Sequence, residues 1–367
     1  MVVLDVPAQP PPAITAPAPR EVSFGHVAGS APRGTRRVIV RIGERVLADR
    51  PLRGTRFSLR VDLPPHEVNV RVTAVAAGGR RSSAVVRQVV GLARAAGAPA
   101  AAPRLEAALG RRVDALTRSF GGVSGVYVQD LHSGYGAAWN ARARFPAAST
   151  LKLAIAVAVL RAETAQPARR SELERLLHEL LVHSDNEAAN RLLARVGGSW
   201  RVDETMRALG LRDSLMYGGY EVEELRRPAA LRPIPLRVDE QPSFGVGKYT
   251  TAWDLARLAQ AVHLAASGRG PLPALGVTPS EARHLLWLLA HVGDRGKLGR
   301  YLDGSTSLLH KAGWLGTARH DHGVVVWRGG VFVVAVLTWD RSGVGSAADV
   351  LAGRVARSAL DVFRELG

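Results

Sequence analysis

The 367-residue chain contains no cysteine, so no disulfide braces it and no thiol does chemistry in it. That absence fits the cytoplasm and fits equally well export from a bacterium whose secreted enzymes lack disulfides. No apolar run approaches the ~20 residues of a membrane span; the stretch from Leu151 to Leu160 is ten residues long. The first 20 residues lack a basic segment followed by an apolar one, the pattern of an export signal, and read as a Pro/Ala-rich linker. Lysine is nearly missing as well. Of 49 basic residues only Lys152, Lys248, Lys297 and Lys311 are lysine, and the rest are arginine. A guanidinium cannot act as a base in a protein, whereas a desolvated amine can. Retained lysines therefore mark positions where an amine is needed.

What is present is strongly basic. The formal net charge is +17. Residues 1–100 hold 15 arginines against six acids. Such a surface suits anionic partners, and cell-wall polymers are the expected class. Nucleic acid is not expected, because no helix-turn-helix, RNA-binding or zinc-finger pattern occurs. No membrane-spanning segment is expected, and the chain is expected to be a monomer. If the chemistry below acts on the cell wall, the protein is extracellular or wall-associated, with an export signal missing upstream of Met1.

The patterning predicts four regions: a linker over 1–20, a β-sandwich module over 21–94, a linker over 95–103 and a catalytic domain over 104–367. In the second region short β-branched runs (38–42, 57–61, 68–72) alternate with turn residues, as in a small all-β immunoglobulin-like sandwich. In the fourth, a helix over 105–120 precedes a hairpin over 123–140. Helical patterns fill 150–209. Further helices follow over 251–266 and 279–292, then strands over 324–327 and 331–339 and a helix over 347–366. The two ends of this region would build one antiparallel sheet flanked by helices, and its middle an α-helical half. The fold class is α/β (α+β).

Two of the four lysines sit in short motifs. In Ser149-Thr150-Leu151-Lys152 the serine and lysine are one helical turn apart on one face. Ser149 is expected at a helix N-terminus, where developing negative charge is favoured. Lys152 could take its proton, leaving the oxygen free to attack a carbonyl. Ser184-Asp185-Asn186 follows. Ser184 is expected to relay a proton to a leaving nitrogen, Asn186 to bind a substrate amide, and Asp185 to orient the loop or cap the next helix. Lys311-Ala312-Gly313-Trp314 falls where a strand is expected. Lys311 would place positive charge near Ser184. Gly313 would let a substrate lie close, and the Trp314 N–H with that of Ser149 could hold an oxyanion. His320 and His322 could share one strand face, but no third ligand is evident, so no metal and no cofactor are expected. Arg319 is a candidate for binding a substrate carboxylate.

Serine-x-x-lysine, serine-aspartate-asparagine and lysine-x-glycine, in that order, resemble the penicillin-recognising serine hydrolases, and most of all class A serine β-lactamases. The resemblance covers roughly residues 104–367. It includes the run Ser184 to Asn190 and the segment Thr250-Thr251-Ala252-Trp253-Asp254-Leu255. It implies an antiparallel sheet flanked by helices plus a helical subdomain. It also implies attack on a β-lactam or D-alanyl peptide through a serine ester. Three departures stand out. Ser149 and Ser184 are only 35 apart. Position 312 is alanine where the family carries a hydroxyl residue. The glutamate motif for the deacylating water has no clean match, leaving Glu221 as first choice and Glu223 as second.

The expectation is thus a serine hydrolase that opens β-lactam amides through an acyl-enzyme on Ser149. One alternative is a penicillin-binding, D,D-peptidase-like protein that deacylates slowly. The other is a non-catalytic wall-binding protein.

Overall fold

The computed structural model describes residues 9–163, 167–168, 170–221, 240 and 242–366. The candidate Glu223 and most of the proline-rich stretch before Pro242 lie outside these residues. The chain divides into two compact units, Met1–Arg94 and Ala95–Gly367.

The first unit is all-β. Its strands are β1 (Ala13–Ala16), β2 (Val22–Ser23), β3 (His26–Ser30), β4 (Thr35–Ile42), β5 (Arg45–Pro51), β6 (Arg56–Arg60), β7 (Glu67–Ala76) and β8 (Arg81–Gly91). They form a three-stranded sheet, β1-β3-β6, and a five-stranded sheet, β2-β8-β7-β4-β5. Alternate residues of both sheets, among them Val27, Phe57, Val40 and Val72, meet in one buried core, as the period-2 pattern requires. Ala13–Ala16 falls within the expected linker but pairs antiparallel with β3. Between Pro12 and Pro17 the chain offers four consecutive backbone N–H groups, enough for a short edge strand.

The second unit begins with β9 (Arg104–Leu105), α1 (Ala107–Arg118), β10 (Val123–Asp130), β11 (Tyr135–Trp139) and β12 (Phe145–Pro146). Four helices follow: α2 (Lys152–Ala162), α3 (Glu172–Leu181), α4 (Asn186–Val196) and α5 (Ser199–Ala208). Then come β13 (Tyr249–Thr250), α6 (Ala252–Ala265), α7 (Pro279–Ala290), β14 (Ser307–Leu315), β15 (Ala318–Trp327), β16 (Gly330–Trp339) and α8 (Ser346–Leu366). The main sheet runs β14-β15-β16-β10-β11-β9 and is antiparallel except for the short β9 pair. Both ends of the unit therefore meet in one sheet. Helices α1 and α8 pack together over it through an aliphatic and aromatic core that includes Leu109, Phe332, Val355 and Phe363. Helix α6 packs on β15, β16 and β10, while α2 to α5 pack on one another.

Residues 95–103 do not behave as a free linker. Ala96 is buried, its carbonyl accepts a bond from His263 Nε2 at 2.7 Å, and the Ala101 carbonyl accepts one from Gln129 Nε2 at 3.1 Å. Small alanine side chains let this backbone lie flat against α6 and β10.

Candidate active site

Three segments converge around Lys152. The first is the turn before α2. That helix is apolar nearly all round, as a helix buried on all sides must be. Ser149 sits in the turn just ahead of it, and the Lys152 N–H donates to the Ser149 carbonyl at 3.2 Å. Ala148 holds a left-handed φ of 48°. That conformation costs a non-glycine residue about 1–3 kcal/mol, and such strain tends to collect at functional sites. The turn is pinned from below by β15: His320 Nε2 bonds the Pro146 carbonyl at 2.7 Å and His322 Nε2 the Thr150 carbonyl at 3.3 Å. Burial pushes both imidazoles down to about 4, so they stay neutral and donate one N–H each. The two histidines on one strand face are thus anchors for Ser149. Gly313 of β14 makes the same contact from the edge strand. A Cβ there would lie 2.8 Å from the Ser149 nitrogen and 3.0 Å from the Thr150 nitrogen. Gly313 thus lies against the backbone of the Ser149 turn.

The second segment joins α3 to α4. Asp185 caps α4, its carboxylate accepting the Ala188 N–H at 2.6 Å, and its own N–H donates to the Glu179 carbonyl at 3.0 Å. Ser184, at a φ of 56°, is turned toward the lysines. Lys152 Nζ donates to the Ser184 carbonyl at 2.5 Å and to Asn186 Oδ1 at 2.6 Å, and lies 3.4 Å from Ser184 Oγ. Lys311 Nζ, fully buried on β14, reaches Ser184 Oγ at 2.9 Å and the Ala312 carbonyl at 2.9 Å. Ser184 Oγ therefore stands between two amines. Desolvation first and the Lys311 charge second pull Lys152 down to about 7. Desolvation likewise takes Lys311 to about 8. A neutral Lys152 has two N–H groups, matched by the two short acceptors, and one lone pair left to receive a proton.

The third segment is the loop after α5. Asp254, at the start of α6, accepts the Asp213 N–H at 2.9 Å and the Ser214 hydroxyl at 2.8 Å. Asp203 of α5 accepts the Met216 N–H at 2.6 Å. Asn190 of α4 clamps Tyr220 at both backbone groups, each at 2.7 Å. This stitching presents Tyr220, 7% exposed, with its hydroxyl on the Ala148 carbonyl at 3.2 Å. Lys152 Nζ lies 4.5 Å from the Tyr220 ring centroid and Lys248 Nζ 4.6 Å from it. Lys248 also donates to the Gly219 carbonyl at 2.6 Å, and desolvation lowers its affinity for a proton. Its carbonyl accepts the Ala147 N–H at 2.9 Å, tying β13 to the Ser149 turn.

The structure thus brings Ser149, Lys152, Ser184, Asn186, Lys311 and Gly313 together. Trp314 follows on the same edge strand with an exposed side chain, at 69%. Glu221, the candidate for a water-activating carboxylate, is exposed at a φ of 63° and is the weakest of the charges acting on Lys152. Its neighbour Tyr220 faces the lysine instead, because the Asn190 clamp turns that residue inward. Arg319 is paired with Asp349 of α8 at 2.5 Å. Lys248 and Tyr220 were not anticipated, although the scarcity of lysine pointed to the first. Among the described residues, His178, Glu179 and His183 could converge on a cation, their ligand atoms lying within 4.8 Å of one another.

The sequence matches the model of the β-lactamase enzyme family over residues 108–168 and 163–363. No curated protein matches it. Among solved structures, PBP-A superposes with a TM-score of 0.58 at 20% identity, covering 72% of this chain and 99% of that one. The β-lactamase of Streptomyces albus G gives 0.55 at 22% identity, covering 70% and 99%. That of Sphaerobacter thermophilus gives 0.53 at 22%, covering 71% and 98%. At these identities the likeness speaks to the fold.

Proposed function

Because the chain belongs to the β-lactamase enzyme family, we propose that its second unit opens β-lactam amides, or related D-alanyl peptide amides, through an ester on Ser149. Neutral Lys152 takes the Ser149 hydroxyl proton as Ser149 Oγ bonds to the carbonyl carbon. The oxyanion that forms is held by the backbone N–H groups of Ser149 and Trp314. As the carbon–nitrogen bond breaks, the proton passes from Lys152 through the Ser184 hydroxyl to the leaving nitrogen. Lys311 supplies positive charge beside Ser184 and the substrate carboxylate, and Asn186 orients the substrate amide. Addition of water to the ester then releases the acid and restores Ser149.

The observation that carries this reading is the chain Lys152–Ser184–Lys311, with Ser184 Oγ at 3.4 and 2.9 Å from the two amines. A binding protein has no need of two buried, partly neutralised lysines on one hydroxyl. The test is intact-mass measurement after exposure to penicillin G. The wild type gains the mass of the ring-opened drug and Ser149→Ala gains nothing. Adduct retained by Ser149→Ala would remove the serine from its role.

A second reading, a penicillin-binding, D,D-peptidase-like protein that keeps its acyl group, is favoured by one observation. Tyr220 faces Lys152 while Glu221 is exposed. We assign the first unit, with the Arg-rich charge of residues 1–94, to attachment on anionic wall polymers, and the protein to the cell wall or its exterior.

A further inference from the structure

The Tyr220 ring lies over Lys152, beside the turn that carries Ser149. Its hydroxyl reaches the Ala148 carbonyl, one residue before Ser149, and its face lies 4.5 Å from Lys152 Nζ. Asn190 holds the backbone of Tyr220 from two sides, and Lys248 braces the preceding Gly219 carbonyl while standing over the same ring. Five contacts therefore fix one aromatic ring where it leaves almost no surface to solvent. Burial also drives the phenol far toward its neutral form, so it does not serve as a base for water.

We propose that Tyr220 is a positioning residue that keeps water from the ester on Ser149 and so sets the lifetime of the acyl-enzyme. The argument is one of partners. A water that attacks the ester must pass a proton to a base within hydrogen-bond reach, and Lys152 is the amine at hand. An ordered water needs two to four polar partners. On the side closed by Tyr220 it would meet the carbons of the ring in place of polar partners. Acylation needs no water on that side, because the Ser149 hydroxyl, with Lys152 as its base, attacks the substrate carbonyl directly. The first half of the reaction runs and the second stalls. This inference rests on the serine-ester reading above and deepens it.

The experiment follows the penicillin G adduct on the full-length chain by intact mass, recording its formation and its decay separately. In the wild type and in Tyr220→Phe the adduct forms and persists, since both keep the ring. In Tyr220→Ala the adduct, whatever its rate of formation, decays about tenfold faster or more, a change of roughly 1.4 kcal/mol in barrier. Asn190→Ala loosens the segment without emptying it and shifts the decay in the same direction, which keeps the test open should Tyr220→Ala fail to fold. Rapid loss of the adduct from the wild type overturns the proposal and leaves the serine ester standing. So does a decay unchanged in both Tyr220→Ala and Asn190→Ala. Absence of any adduct on wild-type Ser149, with the drug left unopened, overturns the proposal together with the function it rests on.

Discussion

At the scale of single residues the site is built from lysines in a chain that otherwise avoids them. Three of the four, Lys152, Lys248 and Lys311, act on one another around Tyr220 and Ser184. Arginine could not replace Lys152, because its guanidinium stays charged. Lys152→Arg is expected to lose covalent labelling by penicillin G by at least about a hundredfold, the usual share of a general base. The pH dependence has a definite sign. Lys152 works as a free amine, so the labelling rate should climb with pH through about 7 and level off above it. Asp185 favours the charged form of Lys152. Asp185→Asn keeps the cap on α4, since the two residues cap alike, and should move that rise to lower pH. A rate–pH profile of both forms checks the direction. These residues were legible in the sequence to different degrees. Ser149, Lys152, Ser184 and Lys311 stand in three motifs whose order resembles that of the penicillin-recognising serine hydrolases. Lys248 stands in no motif, and only its being a lysine distinguishes it. Tyr220 could not be read in advance, because its orientation depends on a hydrogen-bonded clamp from Asn190, 30 residues away.

At the scale of elements, the Ser149 turn is a shared product of three strands and a helix. β14 presses Gly313 against it, β15 holds it by two neutral imidazoles, and Lys248, just ahead of β13, bonds it through its carbonyl. Gly313→Ala would place a methyl 2.8 Å from the Ser149 nitrogen, backbone that has no side-chain freedom to yield. The expected result is labelling cut by about tenfold or more with the far-ultraviolet circular dichroism unchanged; undiminished labelling would show that the turn can move. Away from the site, Thr278 and Glu281 form a reciprocal cap on α7. Thr278→Ala should cost about 0.5–2 kcal/mol in denaturant unfolding of the second unit. The elements themselves were largely readable: the hairpin of β10 and β11, the late strands and α8 all follow from periodicity. What periodicity missed was pairing. Ala13–Ala16 is too short, between two prolines, to show a strand pattern and becomes a strand by joining β3. His320 and His322 read as two possible ligands until their acceptors, backbone carbonyls 172 and 174 residues away, are known.

At the scale of the whole molecule, each unit has a hydrophobic core of its own, and every residue argued to do chemistry lies in the second. A chain beginning at Ala95 is therefore expected to fold and to take up penicillin G at the rate of the full protein, as measured by intact mass. The net charge of +17 bears on solubility and association and not on the fold. Among the described residues no helix is long and apolar enough to cross a membrane. The measurement that bears most directly on the account is the mass of the protein after reaction with penicillin G, for wild type and Ser149→Ala side by side. The account predicts one ring-opened drug on the wild type, lasting after free drug is removed, and none on the variant. An unlabelled wild type that leaves the drug intact, or a variant labelled equally, would contradict it.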